Sequence, residues 1–384
     1  MIKYLPAICF AIIPFGFWGQ NIFFGHANTL MLSATLILFL CKYENNYELS
    51  GWIKSMGVYL SCWMAFTFLM VFLGKFPQIL SMAMIEAVFF IFAGLILFLS
   101  IYRGSLSLSS WLNIICIAAT AQALLAVSQT FGFDPVRLLL EKVVDVHGQM
   151  AFTTPVGTMG NQNFLAAFLA ISLPFFFRVK WKFFTVVPFN HSVIWLWKDH
   201  EIKLPYGWFL CLPVIIYALI LTKTTTAIGA AIVGSVYFLF GWKWACGSVL
   251  PAFVLYAIKY NGIIFTNERV QYWLDAINST TSSWQTFIFG WGPGITWKSG
   301  NMLHSEYINA FFNYGLIGLI IMVGYIVSVH KMNKMLLSAF IVLCIDMIGN
   351  HALHTVPTAV LIITIIALLE RQKQEDFIYA RSKC

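Results

Sequence analysis

Apolar residues in this chain come in long, nearly unbroken runs separated by short polar interruptions. They lack the two-residue alternation of a half-buried strand. Twelve such segments stand out, at 5–18, 27–41, 52–73, 77–101, 111–131, 163–177, 206–222, 225–241, 244–260, 306–329, 335–350 and 355–369. An α-helix needs roughly 20 apolar residues to cross a hydrocarbon layer of about 30 Å. The pattern therefore predicts an all-α integral membrane protein of about twelve transmembrane helices, forming a single polytopic domain over 1–384. A further stretch, 183–197, is apolar but broken by Pro188, Asn190 and His191 and flanked by basic residues, which predicts an interfacial or re-entrant segment. The first run, Leu5–Phe17 after Lys3, is followed by Phe17-Trp18-Gly19-Gln20 with no small-x-small cleavage site, so a retained first span is expected. No internal repeat relates the two halves, which weakens an inverted-repeat architecture.

Two stretches are too polar to cross: 132–162, a first outer loop, and 261–305, a larger one. Composition agrees with this division. The mean hydropathy is +0.81 and only 10% of residues are charged, against about 25% in a soluble domain. The net charge of +8 does not mark a nucleic-acid partner, because the basic residues lie in short loops rather than on one soluble face. With the N-terminus in the cytoplasm, 16 of the 23 Lys and Arg residues fall on the cytoplasmic side. Both termini are then inside and both polar loops outside, as the positive-inside bias expects. Counting 183–197 as another span would separate the loops.

Eight cysteines are scattered without a CxxC pair, and neither polar loop holds one, so no disulfide framework or zinc site is expected. Cys62, Cys116, Cys211, Cys246 and Cys344 lie within apolar runs, as small buried hydrophobes do.

Candidate chemistry gathers where the polar stretches meet the apolar runs. In 154–176, Gly157, Gly160, Asn161 and Asn163 lead into a span. This pattern on its own reads first as a turn with an Asn-capped helix start; the alternative is a helix N-terminus offering free N–H groups to an anion such as phosphate. Lys223 sits between two spans among Thr222, Thr224, Thr225 and Thr226. It reads as a snorkelling lysine or as a cation with hydroxyl donors for a phosphate. In 267–314, Arg269, Tyr272 and Trp273 share one helical face and Leu274 and Ile277 extend an apolar side, which predicts a short amphipathic helix on the membrane. Gly290, Gly292 and Gly294 form GWGPG, a tight loop rather than a dinucleotide site. His304 enters the next span beside Ser305, Glu306 and Asn309, a setting suited to acid–base or acceptor-binding work. Glu86, Asp346, Asn350, His351 and His354 are polar groups inside or next to spans; they read as structural pairs or as a proton path. Asn278 opens an NST sequon, a three-residue match of little weight.

The order and spacing of three blocks resemble the O-antigen ligase and O-antigen polymerase superfamily, multi-span bacterial transferases of lipid-linked glycans. The blocks are GTMGNQNFLAAFLAISLPFF, the pairing of Arg269 and Trp273 with GWGPG, and HSEYINAFFNYGLIGLI; together they cover about 150–330. One departure matters. Where that family shows Leu-Thr-x-Ser-Arg, this chain has Leu221-Thr222-Lys223-Thr224-Thr225, so Thr225 stands in the place of the arginine and Lys223 must supply the charge. A lysine is a point charge without the bidentate guanidinium fork.

The resemblance implies a GT-C-like fold in a bacterial inner membrane, with a periplasmic site on the 261–305 loop. It implies an inverting glycosyltransferase that needs no metal and no cofactor and moves a glycan from undecaprenyl diphosphate to an acceptor hydroxyl. That acceptor would be lipid A core for a ligase, another glycan for a polymerase, or a protein for an O-oligosaccharyltransferase. Membrane lipids are the remaining partner. It implies catalytic roles for His304 and Arg269, and substrate-binding roles for Lys223, Asn163, Gly292, Glu306 and Trp273. The competing class is a polysaccharide-lipid transporter or flippase, which predicts intramembrane charge pairs and broken helices. A purely structural membrane protein fits the polar outer loop least.

Overall fold

The computed structural model describes residues 49–74, 78–104, 106–134, 155–159, 161–177, 207–249, 268–292, 305–329, 333–350 and 356–382. Among them every regular element is helical: α1 (Gly51–Phe72), α2 (Gln78–Arg103), α3 (Leu108–Thr130), α4 (Gln162–Ser172) with a 3-10 turn at Leu173–Phe177, α5 (Gly207–Leu221), α6 (Thr225–Phe240), α7 (Glu268–Thr280), α8 (Trp284–Phe289), α9 (Glu306–Ser328), α10 (Lys334–Gly349) and α11 (Val356–Ser382). Residues 242–249 are also helical. By length and composition α1, α3 and α9 can each cross a membrane, while Ala87–Arg103, Gln162–Phe177, Leu210–Leu221 and Thr225–Phe240 are shorter apolar helices. The expected segments 5–18 and 27–41, most of 244–260, and the stretch 183–197 lie outside the described residues.

The core is built around α4, in which every residue from Phe164 to Ser172 is buried. It packs against α3, α5, α6, α10 and α11. Pro174 lacks the N–H an α-helix would use, and the chain tightens there into the 3-10 turn. Eleven α-helical and five 3-10 residues span about 26 Å, so this short element still reaches most of the way through a bilayer core. Between apolar helices in lipid, close approach and hydrogen bonds do the work that water exclusion does elsewhere. Gly234 on α6 provides one such approach: an added Cβ would lie 2.2 Å from Val342 Cγ2, and Ser338 Oγ donates to Gly234 O at 2.5 Å. Large apolar side chains face outward along the same helices, among them Phe66, Phe72, Leu210, Ile220, Ile232, Ile320 and Val327. Such a belt fits lipid contact. Two cysteines depart from the expectation of burial: Cys116 is buried, but Cys62 and Cys246 are exposed, because they occupy outward positions on apolar helices.

The contacts fix which helix ends lie together. Tyr307 Oη donates to Cys344 O (2.9 Å) and Tyr325 packs edge-on against Phe340, so α9 and α10 are antiparallel. Thr224 before α6 bonds Asn163 at the start of α4, and Phe177 stacks on Phe238 at the far ends of the same elements. One end of the bundle therefore gathers the C-terminal ends of α3, α5 and α10 and the N-terminal ends of α4, α6 and α9. At the other end Arg371 donates to Gly104 O (2.9 Å) and Leu106 O (2.8 Å), near Arg103. Phe177 and Gly207 both lie towards this second end.

Candidate functional site

The polar groups converge at the first end. Asn161 caps α4, its side chain accepting the Asn163 N–H (2.8 Å). The expected asparagine cap is thus Asn161, and Asn163 is left to look outward from the first turn. Its Oδ1 accepts from Thr224 Oγ1 (3.0 Å), and its carbonyl accepts from Asn350 Nδ2 (3.3 Å). Asn350 Nδ2 also reaches Asp346 Oδ2 (3.4 Å). One chain of hydrogen bonds thus joins the start of α4, the α5–α6 turn and the end of α10. Asp346 thus makes a structural pair with the Asn350 amide.

Lys223 forms the centre of the α5–α6 turn and is exposed. It has φ 56°, the one non-glycine residue in the left-handed region among the described residues. That conformation costs an L-residue about 1–2 kcal/mol, and such strain concentrates at working positions. Its neighbours Thr222 and Thr224 are buried. Thr224, as N-cap of α6, makes no side-chain cap bond; its hydroxyl donates to Asn163 Oδ1. First-turn N–H groups of α6 are therefore not covered by the cap residue beside Lys223.

The loop before α4 is held from α3 by two glutamines on one helical stripe, two turns apart. Gln122 accepts the Thr158 N–H (3.0 Å) and donates to Thr158 Oγ1 (2.8 Å). Gln129 accepts the N–H groups of Val156 (3.0 Å) and Gly157 (2.9 Å) and donates to Gly157 O (2.9 Å). Gly157 has φ 58° and no room for a Cβ, which would lie 2.5 Å from Gln122 Oε1.

The second wall comes from α7 to α9. The amphipathic helix is present as α7, with Tyr272 and Trp273 half-buried and Ala276 and Thr280 buried. Trp273, Ala276 and Thr280 follow one stripe, and the backbone of Arg269 takes the next position of that register. The Arg269 side chain and all of His304 lie outside the described residues. Asn278 is exposed within α7.

The glycine loop does more than turn the chain: it docks into α9. Gly315 is non-helical (φ 64°, ψ −163°). A continuous helix would have satisfied the carbonyls of Phe312, Asn313 and Tyr314 internally. Each instead finds an outside donor: Trp291 N–H to Phe312 O and Gly292 N–H to Asn313 O, both at 2.9 Å, and Tyr59 Oη to Tyr314 O at 2.5 Å. Trp291 stacks on Phe312 and Phe287 meets Phe311 edge-on. The expected uninterrupted span at 306–329 is thus two helical pieces, and Gly292 (φ 103°) is part of the joint.

At the head of α9, Ser305, Glu306, Asn309 and Asn313 are buried. Ser305 Oγ lies 3.5 Å from Met347 O on α10, and Glu306 is near enough to Asp346 to interact electrostatically. Two carboxyl groups thus share this wall. The structure brings Asn163 beside Lys223 through Thr224, and docks Gly292 on Asn313 of α9, two turns along from Glu306; these contacts do not join Trp273, on α7, to either. Asn313, Gln122 and Gln129 were hidden in the sequence inside apolar runs; a polar residue interrupting a span was their only signal. The described residues hold no cluster of three or more His, Cys, Asp or Glu side chains. His351 and His354 lie outside the described residues, as does the Glu86 side chain.

No known family model matches the chain, and no curated protein matches it.

Proposed function

We propose that this chain is a multi-span glycosyltransferase of the O-antigen ligase and polymerase type. In this reading it has about twelve spans in a GT-C-like arrangement in a bacterial inner membrane. Both termini are cytoplasmic, and the polar end of the bundle faces the periplasm. The donor is a glycan on undecaprenyl diphosphate, and lipid A core is the first choice of acceptor. The observation that carries the reading is the joining of Asn163 to the strained Lys223 turn through Thr224, at the end of an apolar bundle where α9 also begins.

The chemistry follows from that arrangement. A lipid diphosphate is already an activated leaving group, so the enzyme must bind its charge and align an acceptor hydroxyl. Lys223 and the N-terminal end of α6 beside it suit one phosphate. Arg269, at the start of α7, is assigned the diphosphate fork, with Trp273 on the same helix lining the approach. His304, next to Ser305, is assigned the acceptor hydroxyl, with Glu306 beside it. The hydroxyl oxygen attacks the anomeric carbon from the face opposite the phosphate. The C–O bond to the diphosphate breaks, the hydroxyl proton passes to the base, and the lipid diphosphate leaves, inverting the centre.

A deletion strain tests the reading. Unligated lipid-linked polymer marks a ligase, single repeat units a polymerase, and loss of glycan from proteins alone a protein-directed transferase. A normal surface glycan in all three respects contradicts the proposal. A polysaccharide-lipid transporter is the second reading, and the break of α9 at Gly315 is the observation that favours it. It predicts lipid-linked glycan accumulating on the cytoplasmic leaflet of the deletion strain.

A further inference from the structure

Asn350 closes α10 with an extended backbone (φ −141°, ψ 155°) and is 2% exposed. Its side-chain nitrogen is a double donor. Nδ2 reaches Asn163 O at the start of α4 (3.3 Å) and Asp346 Oδ2 one turn back on α10 (3.4 Å). The Asp346 oxygen accepts, which turns the nitrogen of the Asn350 amide, and not its oxygen, towards the Asn163 carbonyl. Asn163 in turn accepts from Thr224, next to Lys223 (3.0 Å). A second contact joins the same places: a Cβ added at Gly349 would lie 2.8 Å from Thr226 Cγ2, in the first turn of α6. The end of α10 therefore holds the Lys223 turn from two directions, through α4 and directly against α6.

Two parts of this clasp cost stability. Lys223 holds a left-handed φ of 56°. Asp346 is fully buried, and its Oδ1 has no hydrogen-bond partner among the described residues, a desolvation cost with no bond in return. Joining two helix ends requires neither, and such costs persist where a geometry is fixed for use. We propose that Asn350, oriented by Asp346, is a positioning residue for the phosphate-binding turn. It touches no substrate. It fixes Asn163 and Thr224, and through them the backbone that carries Lys223. This rests on the transferase reading and deepens it: affinity for the lipid diphosphate depends on the end of α10 as well as on the cation that meets the phosphate.

The test uses the full chain in lipid nanodiscs. Undecaprenyl diphosphate is the binding probe; its glycan-bearing form and lipid A core are the substrates for transfer. In Asn350→Leu, which cannot donate, the Kd for undecaprenyl diphosphate and the donor KM should both rise about tenfold or more. The acceptor KM should not change, and kcat should fall by less than the donor KM rises. A purely structural role would lower the amount of active protein, and so the apparent kcat, with the donor KM and the Kd as in the wild type. Asn350→Ala removes the amide without adding bulk and makes the same comparison if the leucine variant inserts poorly. Asp346→Leu should repeat the loss, and Asp346→Asn, which keeps an oxygen for Asn350, should recover most of it. A double-mutant cycle reads the route: in a Lys223→Gly background, Asn350→Leu should cost at most about twofold more. An unchanged donor KM and Kd in both Asn350 variants overturn the assignment, as do losses that multiply in full in the Lys223→Gly background. If the wild type binds and transfers the lipid-linked glycan and the Asn350 variants match it, the positioning role fails alone; if the wild type does neither, the transferase reading fails with it.

Discussion

Gly290 and Gly315 meet backbone to backbone. A Cβ added at Gly290 would lie 2.4 Å from Asn313 O, and one added at Gly315 would lie 2.4 Å from Ile288 O. Both residues have positive φ, 80° and 64°. The contact joins the glycine loop to the break in α9 and sets where the candidate catalytic loop enters the bundle. Any side chain at either position forces the two backbones apart.

Gly290→Ala and Gly315→Ala should each therefore lose at least about 1–3 kcal/mol of stability, from strain and overlap together. Undocking should be local. Limited proteolysis of membranes would read it as faster cleavage within 281–304, with α3 to α6 still protected. Equal cleavage rates in variant and wild type would mean that the loop is not held by this contact.

Lys223 separates backbone strain from charge. Lys223→Gly should relieve about 1 kcal/mol of left-handed strain and raise the unfolding temperature slightly. It should also lower transfer at least about tenfold by removing a phosphate contact. Lys223→Arg should recover most of the activity. If Lys223→Gly transfers as well as the wild type, the residue is a turn former only.

The hydrogen bond from Thr224 to Asn163 is the tie between the α5–α6 turn and α4. Thr224→Val keeps the shape and leaves Asn163 Oδ1 without this donor. The expected loss is about 1–2 kcal/mol, measured as a lower midpoint of thermal unfolding in detergent. Thr224→Ser should restore the wild-type midpoint.

Much of the fold was legible because apolar runs and helices coincide: the expected 52–73, 111–131, 206–222 and 225–241 differ from α1, α3, α5 and α6 by a few residues at most. Helix ends were less legible. Pro174 marks the passage to a 3-10 turn inside the run 163–177, which hydropathy cannot register. Asn163 and Lys223 stood out as polar groups at the mouths of spans, and the structure joins them through Thr224. The break at Gly315 was invisible, because its cause lies 25 residues upstream in Gly290 and is a match of backbone shapes. Gln122 and Gln129 were masked by the apolar run around them, although they hold the loop before α4.

The sidedness of the loops can be read without any assay of function. Reporters fused at Gly148 and Ser299 should report the same side, periplasmic in the proposed orientation, since the described ends of α3, α4 and α9 lie at one end of the bundle. Reporters on opposite sides would break the twelve-span order and separate the Asn163 wall from the Arg269 loop.

The central claim is glycan transfer from a lipid diphosphate. Purified protein in proteoliposomes should move a radiolabelled glycan from undecaprenyl diphosphate to a lipid A core acceptor with no added metal. Arg269→Ala and His304→Ala, inserted at normal levels, should reduce transfer by at least about a hundredfold. Arg269→Lys should be nearly as damaging, because the bidentate fork is lost. Wild-type rates in the Arg269→Ala and His304→Ala variants, or no transfer by the wild type to lipid A core, glycan or protein acceptors, would contradict the account.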